Sequence, residues 1–265
     1  MRDSFDRAIT YLRISVTDKC NLRCRYCMPP QGVTPRRHGD FLTLEQMADV
    51  ARAAADLGIA KVRLTGGEPL VKRGIVDLAR MIAAVDGIEC LAMTTNGTLL
   101  APLARPLREA GLDSINLSLD TLDHERYRAL TRGGNIHDAL AGLDAALAAG
   151  FPVKINMVVL DDTPAGEVER MREFTASRGA RLQLINHFSL VEPKRDREAF
   201  DRPPPCERCN RIRLTADGML KPCLHSDDEI RLDFARLHES LREAILAKPR
   251  TGGTCTERAM SQIGG

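Results

Sequence analysis

Three cysteines stand in CNLRCRYC at Cys20, Cys24 and Cys27, a CxxxCxxC spacing that puts three thiols on one short loop. Three thiolates can hold three irons of a cubic iron–sulfur cluster and leave the fourth iron open to a ligand that reacts. Zinc is the simpler alternative, but a closed zinc site wants four ligands, and no Cys or His completes the set locally. Cys206, Cys209 and Cys223 form a second group, a CxxC followed after thirteen residues by the third cysteine. Here His225 offers a fourth ligand, so ligand count alone favours a zinc hairpin, while three thiolates again suit a four-iron cluster. Two groups of three, far apart in the chain, read as two metal centres. Cys90, at the start of an apolar run, reads as a small core residue, and Cys255 as a free thiol in a mobile tail.

Such groups need a scaffold. Short, apolar, β-branched runs at residues 11–16, 61–65, 90–94, 114–119, 153–159 and 182–188 have the length of buried strands. Helical patterns lie between them at 44–57, opened by Thr43 and stopped by Gly58, and at 75–85, 101–110, 136–149 and 165–178. Six strands and five intervening helices imply right-handed βαβ crossovers and a parallel sheet with helices on its outer face. The expected fold class is α/β, a partial (βα)6 TIM-like barrel, because eight units need more chain than residues 1–188 provide. A parallel barrel gathers chemistry at its C-terminal strand ends, and the first cysteine loop follows the first strand.

The expected domain plan is a partial barrel over 1–188, then a linker, a cysteine hairpin, a helix and a Gly-Gly tail over 189–265. VEPKRDREAFDRPPP is charged, proline-rich and aperiodic, as an exposed linker or functional loop would be. Residues 206–224 read as a hairpin turning at ADG, and 230–246 alternate acidic and apolar residues at helical spacing. Residues 251–265 have too little apolar content to fold independently.

Composition narrows the function classes. The chain has 265 residues, 43% of them hydrophobic, with 38 Lys and Arg against 36 Asp and Glu, a net charge of +2. That balance argues against a broad nucleic-acid surface but leaves room for a local basic pocket around one anion. No apolar run approaches the roughly 20 residues of a membrane helix, and the first residues lack the pattern of a signal peptide. Eight cysteines in such a chain point to metal or redox chemistry rather than disulfides, and the expected location is cytoplasmic.

CNLRCRYC, with Tyr26 before its last cysteine, resembles the cluster motif of the radical S-adenosylmethionine superfamily. Gly66, Gly67, Glu68 and Pro69 are similar to that superfamily's GGEP segment, which hydrogen-bonds the methionine amino group of the cofactor. Thr95 and Asn96 in TTNG, and Ser118 and Asp120 in SLD, are similar to further cofactor contacts, although such residues also cap helices after strands in any parallel α/β protein. More narrowly, YLRISVTDKCNLRCRYCMP, KVRLTGGEPL, CERCNRIRLTADGMLKPCL and the terminal IGG resemble, in order, segments of the GTP 3',8-cyclases of molybdenum cofactor biosynthesis.

The resemblance implies two [4Fe-4S] clusters, one on Cys20, Cys24 and Cys27 and one on Cys206, Cys209 and Cys223, with S-adenosyl-L-methionine as cofactor. It assigns Tyr26, Gly66, Gly67, Glu68, Thr95, Ser118 and Lys154 to the cofactor, and Arg13, Lys61, Arg63, Arg211 and Arg213, with Lys154 again, to the substrate's triphosphate. The first three cysteines and Arg213 are the implied catalytic residues. Lys61 and Arg63 share one strand face, as do Arg211 and Arg213 in the hairpin, and cations facing a barrel interior are costly without an anion to pair with. Expected partners are GTP or a related nucleotide and an electron donor such as flavodoxin or ferredoxin, with a homodimer as a further option. Gly264 and Gly265 are expected to thread the active site, where any Cβ would block a narrow channel.

Two departures stand out. About twenty residues separate the sixth strand from Cys206, where the family has a longer segment, and Gln183 replaces an arginine of the family. They leave open a radical enzyme with an auxiliary cluster acting on another nucleotide or a peptide, beside a more remote zinc-bearing, non-catalytic module. His38, His124, His137 and His238 read as surface residues, and His187, ending the sixth strand, as a substrate contact.

Overall fold

The computed structural model describes the chain except residues 35, 193–199, 201–203 and 265, and except the His38 side chain. Most of the expected linker therefore lies outside the described residues, as does Gly265. Six parallel strands run in chain order: β1 (Tyr11–Ser15), β2 (Lys61–Thr65), β3 (Cys90–Thr95), β4 (Ser114–Ser118), β5 (Val153–Val159) and β6 (Arg181–Asn186). Between them lie α1 (Leu44–Asp56), α2 (Ile75–Ala83), α3 (Ala104–Glu109), α4 (His124–Thr131), α5 (Ile136–Ala148) and α6 (Glu167–Ser177). Thr43 starts α1 through a capping box with Gln46, satisfying backbone donors that the first turn leaves free. Met47, Val50, Ala51 and Ala54 of α1 and Leu78 and Ile82 of α2 share one buried core with Leu12, Ile14, Val62 and Leu64 of the sheet.

The hairpin joins this sheet. β7 (Arg211–Leu214) pairs parallel to β1, and β8 (Met219–Lys221) and β9 (Ile230–Arg231) follow antiparallel, giving the order β6-β5-β4-β3-β2-β1-β7-β8-β9. β6 and β9 are the sheet's edges, so the barrel is partial. α7 (Leu237–Leu246) packs against α1 and the hairpin, and a short α8 (Met260–Ile263) ends the described chain.

Several expectations need correction. Two helices, not one, connect β4 to β5, because α4 is short and polar and buries only Tyr127, Leu130 and Thr131. Residues 230–246 are not one helix. Ile230 pairs with Leu220, and Asp233 turns the chain by accepting from Ala235 N at 2.9 Å before α7 begins. Cys255 is fully buried with Leu190, Leu224 and Ile263, so the tail holds to the body through a small apolar cluster. Cys90 is half-buried rather than a core residue. His124, His137 and His238 are exposed.

Candidate active site

The first cysteine loop leaves β1 and is gripped from two sides. On one side Gly67 N donates to Thr17 O and Glu68 N to Lys19 O, both at 2.8 Å. Backbone approach this close excludes side chains: a Cβ at Gly66, where φ is +139°, would lie 2.4 Å from Thr17 O, and one at Gly67 would lie 2.3 Å from Lys19 O. On the other side the last turn of α4 accepts, Thr131 O from Arg23 N and Leu130 O from Arg25 N, each at 3.0 Å. Arg132, in the left-handed region at φ +55°, donates to Arg23 O at 2.9 Å and to Met28 O at 2.8 Å.

So held, Cys20, Cys24 and Cys27 face a cavity of about 200 Å³ with Gly66, Gly67, Glu68, Thr95 and Ser118. Burial pushes the Cys27 thiol up to about 12, helped by Cys20 and Asp120, and raises Cys24 and Cys20 as well. Three thiols that cannot easily ionise together fit a site whose positive charge comes from a metal cluster, which deprotonates its thiol ligands. Among the described residues no three His, Cys, Asp or Glu side chains gather as ligands of a single ion.

Two carboxyls, the buried Glu68 and the half-buried Asp120, tie the strand ends around that cavity. Glu68 accepts from Thr95 Oγ1 and Asn96 N at 2.7 Å and from Leu70 N at 3.0 Å, joining the β2 and β3 ends. Burial outweighs those bonds and pushes its carboxyl up to about 7. Asp120 accepts from Tyr26 Oη at 2.5 Å and from Val158 N at 2.8 Å, fixing the cysteine loop to β4 and β5. Burial raises its carboxyl also. Asn96 Nδ2 lies 4.0 Å from Cys20 Sγ, and His187 sets its ring edge-on to Tyr26 at 6.3 Å.

A second cavity, of about 180 Å³, collects all the expected cations: Arg13, Lys61, Arg63, Lys154, Arg211 and Arg213. Lys154, given to both cofactor and substrate by resemblance, thus lines the cation cavity. Strand register puts Arg213, Arg13 and Arg63 side by side, with Arg211, Tyr11 and Lys61 in the neighbouring row. Arg63 is aimed by Tyr11 Oη, Met93 O and Thr94 Oγ1. The Nε atoms of Arg211 and Arg213 are buried with no hydrogen-bond partner among the described residues. Burial, reinforced by Arg213, Arg63 and Arg211 against the counter-effect of Tyr11, brings Arg13 down to about 9. Arginine does not give up its proton in proteins, so the shift reflects the cost of burying this cation, added to by its neighbours, which an anion would relieve. Burial opposes ionisation of Tyr11, yet Arg13, Arg63 and Arg211 hold its hydroxyl below the ordinary value. Gln183 lines this cavity and donates to Asn156 Oδ1 at 3.2 Å.

Cys206, Cys209 and Cys223 are half-buried. Burial alone would raise Cys209, but Lys248, Arg211 and Arg213 bring its thiol to about 7. Lys248 is itself buried and spans Arg211 O and Pro222 O at 2.9 and 2.8 Å. Gly252 N lies 3.4 Å from Cys206 Sγ, and a Cβ there would stand 3.3 Å from Cys223 Sγ and 2.9 Å from His225 Cβ. The tail then returns to the barrel. Ile263 is fully buried, and a Cβ at Gly264 would be 2.8 Å from Thr65 Cγ2 and 3.3 Å from Gly66 N.

Sequence reading missed Arg132, Phe188, Met260 and Arg258. Phe188 lines the thiol cavity and the cation cavity, and Met260 lines the thiol cavity. Arg132 alone carried a local signal, since RGG after a polar run marks a helix end.

A sequence model of the Radical SAM superfamily matches residues 14–175. The GTP 3',8-cyclase of Alkaliphilus oremlandii is 39% identical over 320 residues, covering all of both chains. That of Moorella thermoacetica is 40% identical over 323 residues with the same coverage. Both alignments run well past the 265 residues present here, so the relatives carry chain that this protein lacks. Streptococcus suis SuiB, solved bound to S-adenosylmethionine, superposes with a TM-score of 0.70 at 15% identity, over 91% of this chain and 64% of that one, a likeness of fold. With this motif order, this barrel and these relatives, the chain belongs to the radical SAM superfamily and, within it, to the GTP 3',8-cyclase family.

Proposed function

We propose that this chain converts GTP to a 3',8-cyclised GTP in molybdenum cofactor biosynthesis. The observation that carries the reading is the junction of the two cavities. The thiol cavity and the six-cation cavity share Thr94, Asn156, Ile185 and Phe188, so an anion held by the cations sits beside the cofactor site. When bound, a [4Fe-4S] cluster and S-adenosyl-L-methionine would supply radical chemistry able to remove a hydrogen from the nucleotide's ribose. Cys20, Cys24 and Cys27 would hold that cluster, and Gly66, Gly67, Thr95 and Ser118 would border the cofactor. Arg13, Lys61, Arg63, Lys154, Arg211 and Arg213 would hold the triphosphate, whose charge of about −4 offsets their mutual repulsion and fixes the ribose in place. No carboxylate lines the cation cavity among the described residues, which suits an anionic nucleotide better than a peptide.

Cys206, Cys209 and Cys223 would hold a second [4Fe-4S] cluster, and the lowered Cys209 thiol supports thiolate ligation there. Residues 1–188 then carry the first cysteine group and four of the six cations, and 189–265 complete both cavities. An external flavodoxin or ferredoxin would deliver electrons, and the eight reduced cysteines suit the cytoplasm. The deciding experiment is anaerobic incubation with GTP, S-adenosyl-L-methionine and reductant, followed by mass analysis for an isomer of GTP. Iron and sulfide analysis tests the cofactors: about eight irons per chain is expected for two cubic clusters. Stoichiometric zinc without sulfide would overturn the assignment.

A further inference from the structure

The tail that reaches the barrel mouth is held by its apolar cluster and by an arginine clamp. Arg258 immediately precedes the segment leading into α8, and its side chain is only 9% exposed. Its Nε and Nη2 donate to the two oxygens of Glu229 at 2.8 and 2.6 Å, and Nη1 donates to both oxygens of Asp217 at 3.1 and 2.9 Å. Asp217 lies in the turn between β7 and β8 and also accepts from Arg36, in the loop that follows the first cysteine group. Glu229 precedes β9 and also accepts from Nζ of the fully buried Lys221 at 3.2 Å. A backup sits nearby, where Asp227 accepts from Thr256 N at 2.8 Å and Glu257 N at 3.0 Å.

One charged network therefore joins three parts of the chain: the loop after the first cysteine group, the hairpin and the tail. Forked, charge-assisted bonds to two carboxylates fix direction as well as position, which a single exposed ion pair does not. Past the clamp the tail runs along the cavity. Met260 lines the thiol cavity, Ser261 and Ile263 are buried, and Gly264 rests on Thr65 and Gly66 at the β2 end.

We propose that Arg258, held by Asp217 and Glu229, is a positioning residue that seats residues 259–264 as a wall of the thiol cavity and so keeps radical formation coupled to substrate turnover. The coupling half rests on the GTP reading above, and the seating half does not. Breaking the clamp frees the wall without touching either cysteine group, so the cofactor can be consumed with the cavity open to water.

The test uses anaerobically purified holoenzyme with Arg258→Gln, Arg258→Lys and Asp217→Asn. Amide exchange within 259–264 should quicken about tenfold or more in Arg258→Gln and Asp217→Asn, while exchange in β1 to β6 and the iron content stay at wild-type values. Arg258→Lys keeps the charge and should fall between. With GTP present, 5'-deoxyadenosine formed per cyclised product should rise in the same order. Unchanged exchange in the tail overturns the seating, and faster exchange with a wild-type product ratio overturns the coupling. If the wild-type protein makes no cyclised GTP, the reaction assignment fails while the exchange result still decides the seating. Should Asp217→Asn not fold, Glu229→Gln removes the other arm of the same clamp and is read in the same way.

Discussion

At the scale of single residues, the site depends on polar groups buried deeply enough to change their chemistry. Cys24 sits between Cys20 and Cys27 with its thiol raised by burial and by Asp120, so it has little use except as a ligand. Replacing it with Ala should abolish 5'-deoxyadenosine formation, and normal cofactor cleavage by Cys24→Ala would contradict the assignment. Glu68 offers a test independent of turnover. An acid whose value is raised from 4.5 unfolded to about 7 folded binds more protons in the folded state between those limits. Its stabilising contribution is therefore complete below pH 4.5 and is lost as the pH rises through 7. Anaerobic urea unfolding of the wild type and of Glu68→Gln, from about pH 5 to pH 8, should show the wild type losing up to about 3 kcal/mol relative to the variant. A pH-independent difference would mean that Glu68 is ionised throughout.

At the scale of elements, the first cysteine loop takes its shape from what it docks on, a backbone seam with the β2 end and the last turn of α4. Gly67→Ala drives a Cβ into Lys19 O at 2.3 Å, a backbone atom that cannot swing aside. The loop must shift, and the expected result is a loss of about 1–3 kcal/mol in stability and faster release of iron to a chelator. Wild-type iron retention by Gly67→Ala would show that the seam is not needed. This seam also marks where sequence reading stops. The thiols of Cys20, Cys24 and Cys27 were legible because close spacing along a chain forces closeness in space. Lys61 and Arg63 were legible because side chains two apart on a strand share a face. Nothing local tells that Arg132 will reach Arg23, 109 residues away, or that Arg63 will meet Tyr11, 52 away. Those pairings come from strand order, and α4 was overlooked because its polar sequence shows almost no apolar stripe.

At the scale of the whole molecule, a partial parallel barrel extended by a hairpin from the chain's far end brings two chemically opposite cavities into contact. One is lined by three thiols and the carboxyls of Glu68 and Asp120, the other by six cations, and each is incomplete without chain from beyond residue 188. Phe188 stands where they meet and sets its ring 5.2 Å from that of His225, beside the second cysteine group. This half-buried aromatic ring borders both cavities, as do Thr94, Asn156 and Ile185. If the ring sets how the ribose meets the radical, removing it should harm coupling more than either binding event, because small misplacements of reacting atoms cost far more rate than affinity. Phe188→Ala should therefore keep both iron content and cofactor affinity close to wild type, while 5'-deoxyadenosine formed per cyclised product rises about 10- to 100-fold. Calorimetric titration of the cofactor alongside product analysis separates the two. A variant that loses cofactor affinity and keeps the wild-type ratio would make Phe188 part of the cofactor pocket only.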